Sequence, residues 1–205
     1  MEIFKTIFFG KQNTFYLHGI KIIFTKKDSP YLHKFATNNL LLSCLSTTTK
    51  NLLTNYTFKI ITFSYLHTFV HEVAHALALK ALGVKNICIE INSNTALGHT
   101  GIAGKTKLSS WSLTLVDLAG PLANVIFSVS LVYGSYIFSP IISLPFSLFL
   151  GAGGTIWICG EYYYALSSLI GDRGDWANIA SRGKLSLLLA SAALITPCAL
   201  AILSI

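Results

Sequence analysis

Hydrophobic residues run through this chain in long blocks rather than in short alternating pulses. From Phe58 to Leu82 the positions are apolar enough, and numerous enough, to cross about 30 Å of hydrocarbon as one helix that stops at Gly83. Trp111 to Phe138, Ile141 to Ile170 and Leu185 to Ile205 repeat the pattern, which predicts four spans with both termini on one side. Between the first two blocks the period drops to two. Asn86 to Ile91 alternates β-formers, Asn92-Ser93-Asn94 is turn chemistry, and Gly98 to Ala103 is the return arm of a hairpin. Within the second block Gly120-Pro121 predicts a kink or a helix restart, and Gly151, Gly153 and Gly154 weaken the middle of the third.

Residues 1–56 mix Phe, Lys, Thr and Asn without a clean period, and Asp28-Ser29-Pro30 marks a turn. Ile3 to Phe9 and Ile20 to Phe24 read as short strands or interfacial pieces of a peripheral, lipid-facing segment. The predicted fold class is therefore mostly α. It is a polytopic transmembrane helix bundle of about four spans, with a small β-hairpin between the first two, divided into a peripheral segment of residues 1–56 and a membrane-embedded domain of residues 57–205.

Composition agrees with a multi-pass integral membrane protein, since 53% of the 205 residues are hydrophobic and only 11% are charged. The net charge of +7 adds little, because the basic residues are dispersed and form no basic helix face, which argues against nucleic acid and for a lipid bilayer as the charged partner. Nor does charge orient the chain. Eight basic residues precede the end of the first block's entry, up to Lys59, and seven (Lys80, Lys85, Lys105, Lys107, Arg173, Arg182, Lys184) fall on the opposite side. The four cysteines are too scattered for a zinc knuckle or a disulfide framework. Met1 to Gly10 carries Glu2 and no small-residue cleavage site, so it does not read as a signal peptide.

Candidate chemistry changes the picture most in the first block, where His67, His71, Glu72 and His75 interrupt the apolar run. Each ionisable group at membrane depth costs on the order of 3 kcal/mol, so such groups normally face a protein interior and serve a function. His71-Glu72-Val73-Ala74-His75 is an H-E-x-x-H pattern. On a helix it sets two imidazoles one turn apart on one face, able to share one zinc ion, with the glutamate beside the water that the zinc activates.

A catalytic zinc takes three protein ligands and keeps one position open. His67 continues the spacing, but eight helical residues rise about 12 Å while Zn–N bonds are about 2 Å, so it is excluded as a third ligand and reads as a residue near the metal or lining a cavity. The remaining candidates are His99, Asp117, Glu161, Asp172 and Asp175. His99 lies in the hairpin and reads as a surface or substrate-edge residue. Asp117 and Glu161 are single acids in apolar runs that could orient a ligand imidazole. Asp172 and Asp175 sit in Gly171-Asp172-Arg173-Gly174-Asp175-Trp176, where glycines let the backbone turn a carboxylate inward.

Taken in order, His71 to His75, Gly120-Pro121-Leu122-Ala123-Asn124 and the acidic loop resemble the three motifs of the site-2 protease family, the intramembrane zinc metalloproteases. The likeness covers about residues 58–180. That family's third motif usually reads Asn-Leu-x-Pro, a spacer, then Asp-Gly; here Ser168-Leu169-Ile170-Gly171 and Asp172 to Trp176 stand in its place. Ser168 replaces Asn, Gly171 replaces Pro, and no Asp precedes a Gly directly. Spacer length favours Asp175 as the third ligand over Asp172.

The resemblance implies one zinc per chain held by His71, His75 and Asp175, with a zinc-activated water as nucleophile and Glu72 as general base. Asn124 would hydrogen-bond the substrate backbone or the developing oxyanion. His67 and Glu161 would line a water-filled cavity. The substrate would be a transmembrane or membrane-proximal peptide, with the hairpin adding it as a strand. Two other readings use the same histidines. One is a membrane metal transporter with His67, His71, His75, Asp117 and Glu161 as a relay; the other is a metal-binding scaffold or pseudoprotease.

Overall fold

The computed structural model describes residues 12–17, 19–25, 66–92, 98–102 and 107–203. It divides into two compact units, one of Met1–Glu72 and Val84–Lys105, the other of Val73–Gly83 and Thr106–Ile205. The division falls inside a helix, α1 (residues 66–81), which runs unbroken across it.

The first unit holds a four-stranded sheet. Strands β1 (Gln12–Leu17) and β2 (Ile20–Thr25) pair antiparallel, and β3 (Ile87–Asn92) pairs antiparallel with β4 (Gly98–Ile102). Between the two hairpins β2 lies parallel to β3, giving the order β1-β2-β3-β4. Ile20, Ile22, Ile87, Ile89 and Ile91 are all buried while Lys21 and Glu90 are exposed, so a period of two buries one face.

The hairpin expected after the first apolar block is β3 and β4. It does not stand alone as expected, because part of the N-terminal segment builds the same sheet. The physical reason is that an isolated two-stranded hairpin is marginal, whereas four strands with a buried face are self-supporting. The expected strand Ile20 to Phe24 is β2, one residue longer; Ile3 to Phe9 and the turn at 93–97 lie outside the described residues.

The second unit is helical. After the last turns of α1 come α2 (Ser110–Ile137), α3 (Leu144–Gly171), α4 (Asp175–Ser181) and α5 (Lys184–Leu203). Helix α2 starts where the Ser109 side chain accepts the Ser112 N–H at 3.1 Å, satisfying one of the donors that a helix start leaves unpaired. Of the kink or restart expected at Gly120-Pro121, the restart does not occur, since α2 continues through Pro121 for 28 residues. One lost backbone donor is tolerated in a helix that packs on both sides of the proline.

The glycines of α3 likewise do not break it. Two of them lie on its contact face: a Cβ on Gly154 would lie 2.6 Å from the Ser128 carbonyl oxygen, and one on Gly151 would lie 2.9 Å from the Ser135 hydroxyl. Each helical glycine costs up to about 1 kcal/mol relative to alanine, but it lets two backbones approach closely. Ser147 tightens the same seam by donating to the Ser135 carbonyl at 2.7 Å. Leu118, Val125, Trp176, Ile179, Ala190 and Leu194 make the core where α2, α4 and α5 meet.

Two helices among the described residues are long and apolar enough to cross a membrane, Ser110–Ile137 and Lys184–Ala201. The expected first span is described only from residue 66 onward. Helix α3 is as long as α2, but its glycines, tyrosines and Glu161 dilute the apolar run, and it does not join the two.

Candidate metal centre

Helix α1 carries His71 and His75 one turn apart, as the spacing dictates. His75 is buried, and its Nδ1 lies 2.6 Å from the Val116 carbonyl oxygen on α2. A carbonyl only accepts, so Nδ1 is the protonated nitrogen and Nε2 carries the lone pair. That Nε2 stands 3.5 Å from Oδ2 of Asp175.

Asp175 is aimed by the end of α3. Residue 172 closes that helix in the left-handed region (φ 51°), and the Asp172 and Arg173 N–H groups both return to the Ser168 carbonyl. The Ser168 hydroxyl donates to the Arg173 carbonyl and accepts the Ala177 N–H, tying the loop to the first turn of α4. Gly174 adopts φ +90°, and a Cβ there would meet the Tyr164 hydroxyl at 2.8 Å. Tyr164 donates to Asp175 Oδ2 at 3.1 Å, while its hydroxyl oxygen accepts the Asp175 N–H at 3.2 Å. Carboxylate and backbone of one residue are thus held by one phenol.

One ligand atom from each of His71, His75 and Asp175 lies within 4.8 Å of the others. Two imidazole nitrogens and a carboxylate oxygen are a zinc donor set, and tetrahedral bonds of about 2.0–2.1 Å separate neighbouring ligand atoms by roughly 3.3 Å. The His75 to Asp175 distance is near that value, and the Val116 carbonyl supplies the outer hydrogen bond that a ligating imidazole normally makes. The residues present fit the metal.

Glu72, beside His71, is buried and fixed by β4: the Thr100 hydroxyl lies 2.7 Å from Glu72 Oε2 and 3.0 Å from the Glu72 carbonyl oxygen. The other sequence candidates are not part of the His71, His75 and Asp175 group. Asp172 is exposed at the end of α3. His67 is half-buried a turn before His71, and His99 is exposed on β4 opposite Glu90. Asn124 and Glu161 are both buried and bonded to each other, Asn124 Nδ2 donating to Glu161 Oε1. Asp117 pairs with Arg182 rather than with an imidazole.

Several of these partners had no weight in the sequence. Tyr164 and Ser168 carried a signal, being polar groups at i and i+4 in the last turns of an apolar helix. The Val116 carbonyl carried none, because every residue has one.

An H-E-x-x-H helix, an aspartate at the start of a later helix within reach of both imidazoles, and long apolar helices in the same chain are the features of a class, the membrane-embedded zinc metallopeptidases. A family model described as Peptidase M50B-like matches residues 42–158, more than half of the chain. The chain belongs to this family, a site-2 protease family whose members are zinc metalloproteases of the membrane. No curated protein and no solved structure matches it significantly. The matched stretch includes His71, Glu72, His75 and Asn124 but ends before Asp175, which the structure brings within reach of the two histidines.

Proposed function

We propose that this protein is a multi-pass intramembrane zinc metalloprotease that hydrolyses peptide bonds in transmembrane or membrane-proximal substrates. The observation that carries this reading is the convergence of His71, His75 and Asp175 beside a buried Glu72. Those three side chains would hold one zinc ion per chain. When bound, the metal supplies Lewis-acid activation of a water molecule and of the scissile carbonyl.

The remaining work belongs to the chain's own residues. Glu72 takes a proton from the attacking water and passes it to the leaving amine nitrogen. Val116 holds the His75 ring in the tautomer that offers Nε2, and Tyr164 and Ser168 hold Asp175. Among the described strands β4 ends the order and is suited to receive an extended substrate as a further strand, which presents the peptide backbone for attack. Asn124 is buried and donates to Glu161, so substrate bonding at Asn124 would be coupled to the α2 to α3 contact.

Four spans remain part of the proposal. Helices α2 and α5 supply two, the apolar block that contains α1 a third, and α3, lined with Glu161 on its protected side, the fourth.

The test is purified, zinc-loaded protein against a transmembrane peptide in detergent or bilayer, wild type beside Glu72→Gln. The variant is expected to keep its zinc and lose cleavage by about 10²- to 10⁴-fold. Zinc transport across vesicles that survives Glu72→Gln, with no peptide cleaved by the wild type, would overturn the protease in favour of a transporter.

A further inference from the structure

Resting on the protease reading, we propose that strand β4 is the positioning element of the general base, with Gly98 and Thr100 together fixing the Glu72 carboxylate. Gly98 and Thr100 are two residues apart on one strand and so face the same side, the side toward Glu72. Thr100 has a single hydroxyl proton and two acceptors in reach. The shorter contact, to the carboxylate Oε2 at 2.7 Å rather than to the backbone oxygen at 3.0 Å, is also the one to a charged acceptor, and that acceptor takes the proton. With Oε2 engaged, Oε1 is the oxygen left to receive a proton from water.

Gly98 brings the strand backbone itself against the glutamate. A Cβ at that position would lie 2.4 Å from Glu72 Cγ, 2.6 Å from Oε1 and 2.8 Å from Cδ. No real Cβ is accommodated at such distances, so any larger residue displaces the glutamate side chain. The backbone of β4 therefore lies directly on the carboxylate. Absence of a side chain at 98 and presence of a hydroxyl at 100 act on the same group.

The arrangement has a functional reason beyond packing. A glutamate side chain has three torsions, and a base that swings through them is misplaced for most of the time. Because β4 is also, among the described strands, the end strand on which an extended peptide would add, the peptide's backbone and the base take their register from one element. Gly98 and Thr100 do not touch the reacting atoms; they act through Glu72.

The experiment compares Thr100→Val, Thr100→Ser and Gly98→Ala with wild type, as full chains loaded with zinc in detergent. Zinc content, kcat and KM for a transmembrane reporter peptide, and the thermal midpoint are measured for each. Thr100→Val is expected to keep one zinc and its KM while kcat falls roughly 10- to 100-fold, with Thr100→Ser returning to within about threefold of wild type. Gly98→Ala is expected to lower kcat in the same way with zinc retained. A readout independent of turnover is the thermal midpoint of Thr100→Val in the wild-type and Glu72→Ala backgrounds. The loss should be clearly larger where the carboxylate is present.

Wild-type kcat in Thr100→Val, a serine variant as impaired as the valine one, or equal thermal losses in the two backgrounds each overturn the proposal. Failure of the protease reading looks different. It is seen in the unmutated chain, as bound zinc without cleavage, while the thermal comparison still decides whether Thr100 grips Glu72.

Discussion

Removing any one of His71, His75 or Asp175 leaves two ligands, too few for a stable zinc site. Alanine at each position should bring bound zinc well below one per chain by elemental analysis, and Asp172→Ala should not. Zinc loss in Asp172→Ala with zinc retained in Asp175→Ala would reverse the assignment. Tyr164 holds Asp175 by both its carboxylate and its N–H, so Tyr164→Phe should weaken zinc by about tenfold or more in competition with a chelator, with the fold intact by circular dichroism. At this scale the imidazole pair was fully legible, because i and i+4 on a helix is a local relation that sequence spells out. Asp175 was legible only as one of two acids in a loop. The choice between them depends on a left-handed residue at 172 and a glycine at φ +90°, dihedral facts that a string of letters does not carry.

The elements divide in the same way. The β3 to β4 hairpin was readable because its alternation and turn residues are contiguous. The parallel pairing of β2 with β3 was not, since those strands are separated by the whole of residues 26–86 and nothing local links them. Glycines in α3 were read as weak points because propensity is a property of one helix, whereas their role is set by the helix opposite. Gly154 is the sharpest case. Its neighbour at 2.6 Å is a backbone oxygen that cannot rotate away, so Gly154→Val should force α2 and α3 apart and cost about 1–3 kcal/mol. Thermal unfolding in detergent measures this, and an unchanged midpoint would show that the seam is not close-packed.

For the molecule as a whole, the helical unit is arranged for a solvent other than water. Leu115, Ile126, Leu148, Ile156, Leu166, Leu188, Ile195 and Leu200 are exposed, while Glu161 and Asn124 are buried against each other. Large apolar side chains outside and paired polar groups inside are the arrangement that hydrocarbon favours. Alkaline carbonate should leave the protein in the membrane pellet, and release into the supernatant would contradict an integral assignment. The membrane class was evident from block length alone. The number of spans was less so, because α3 mixes apolar residues with the glycines and tyrosines of its contacts, and hydropathy averages the two roles together.

The hydrogen bond from His75 to Val116 has a consequence for how such a centre drifts over generations. Its acceptor belongs to the main chain, and every residue type, proline included, carries that carbonyl, so no change of side chain at position 116 deletes it; only a change in the course of the helix would. The imidazole is thereby insured against the commonest kind of genetic damage. Position 116 is free to vary among residues that fill the same buried space, and a comparison of side chains across relatives would pass over one of the groups that orients the metal ligand.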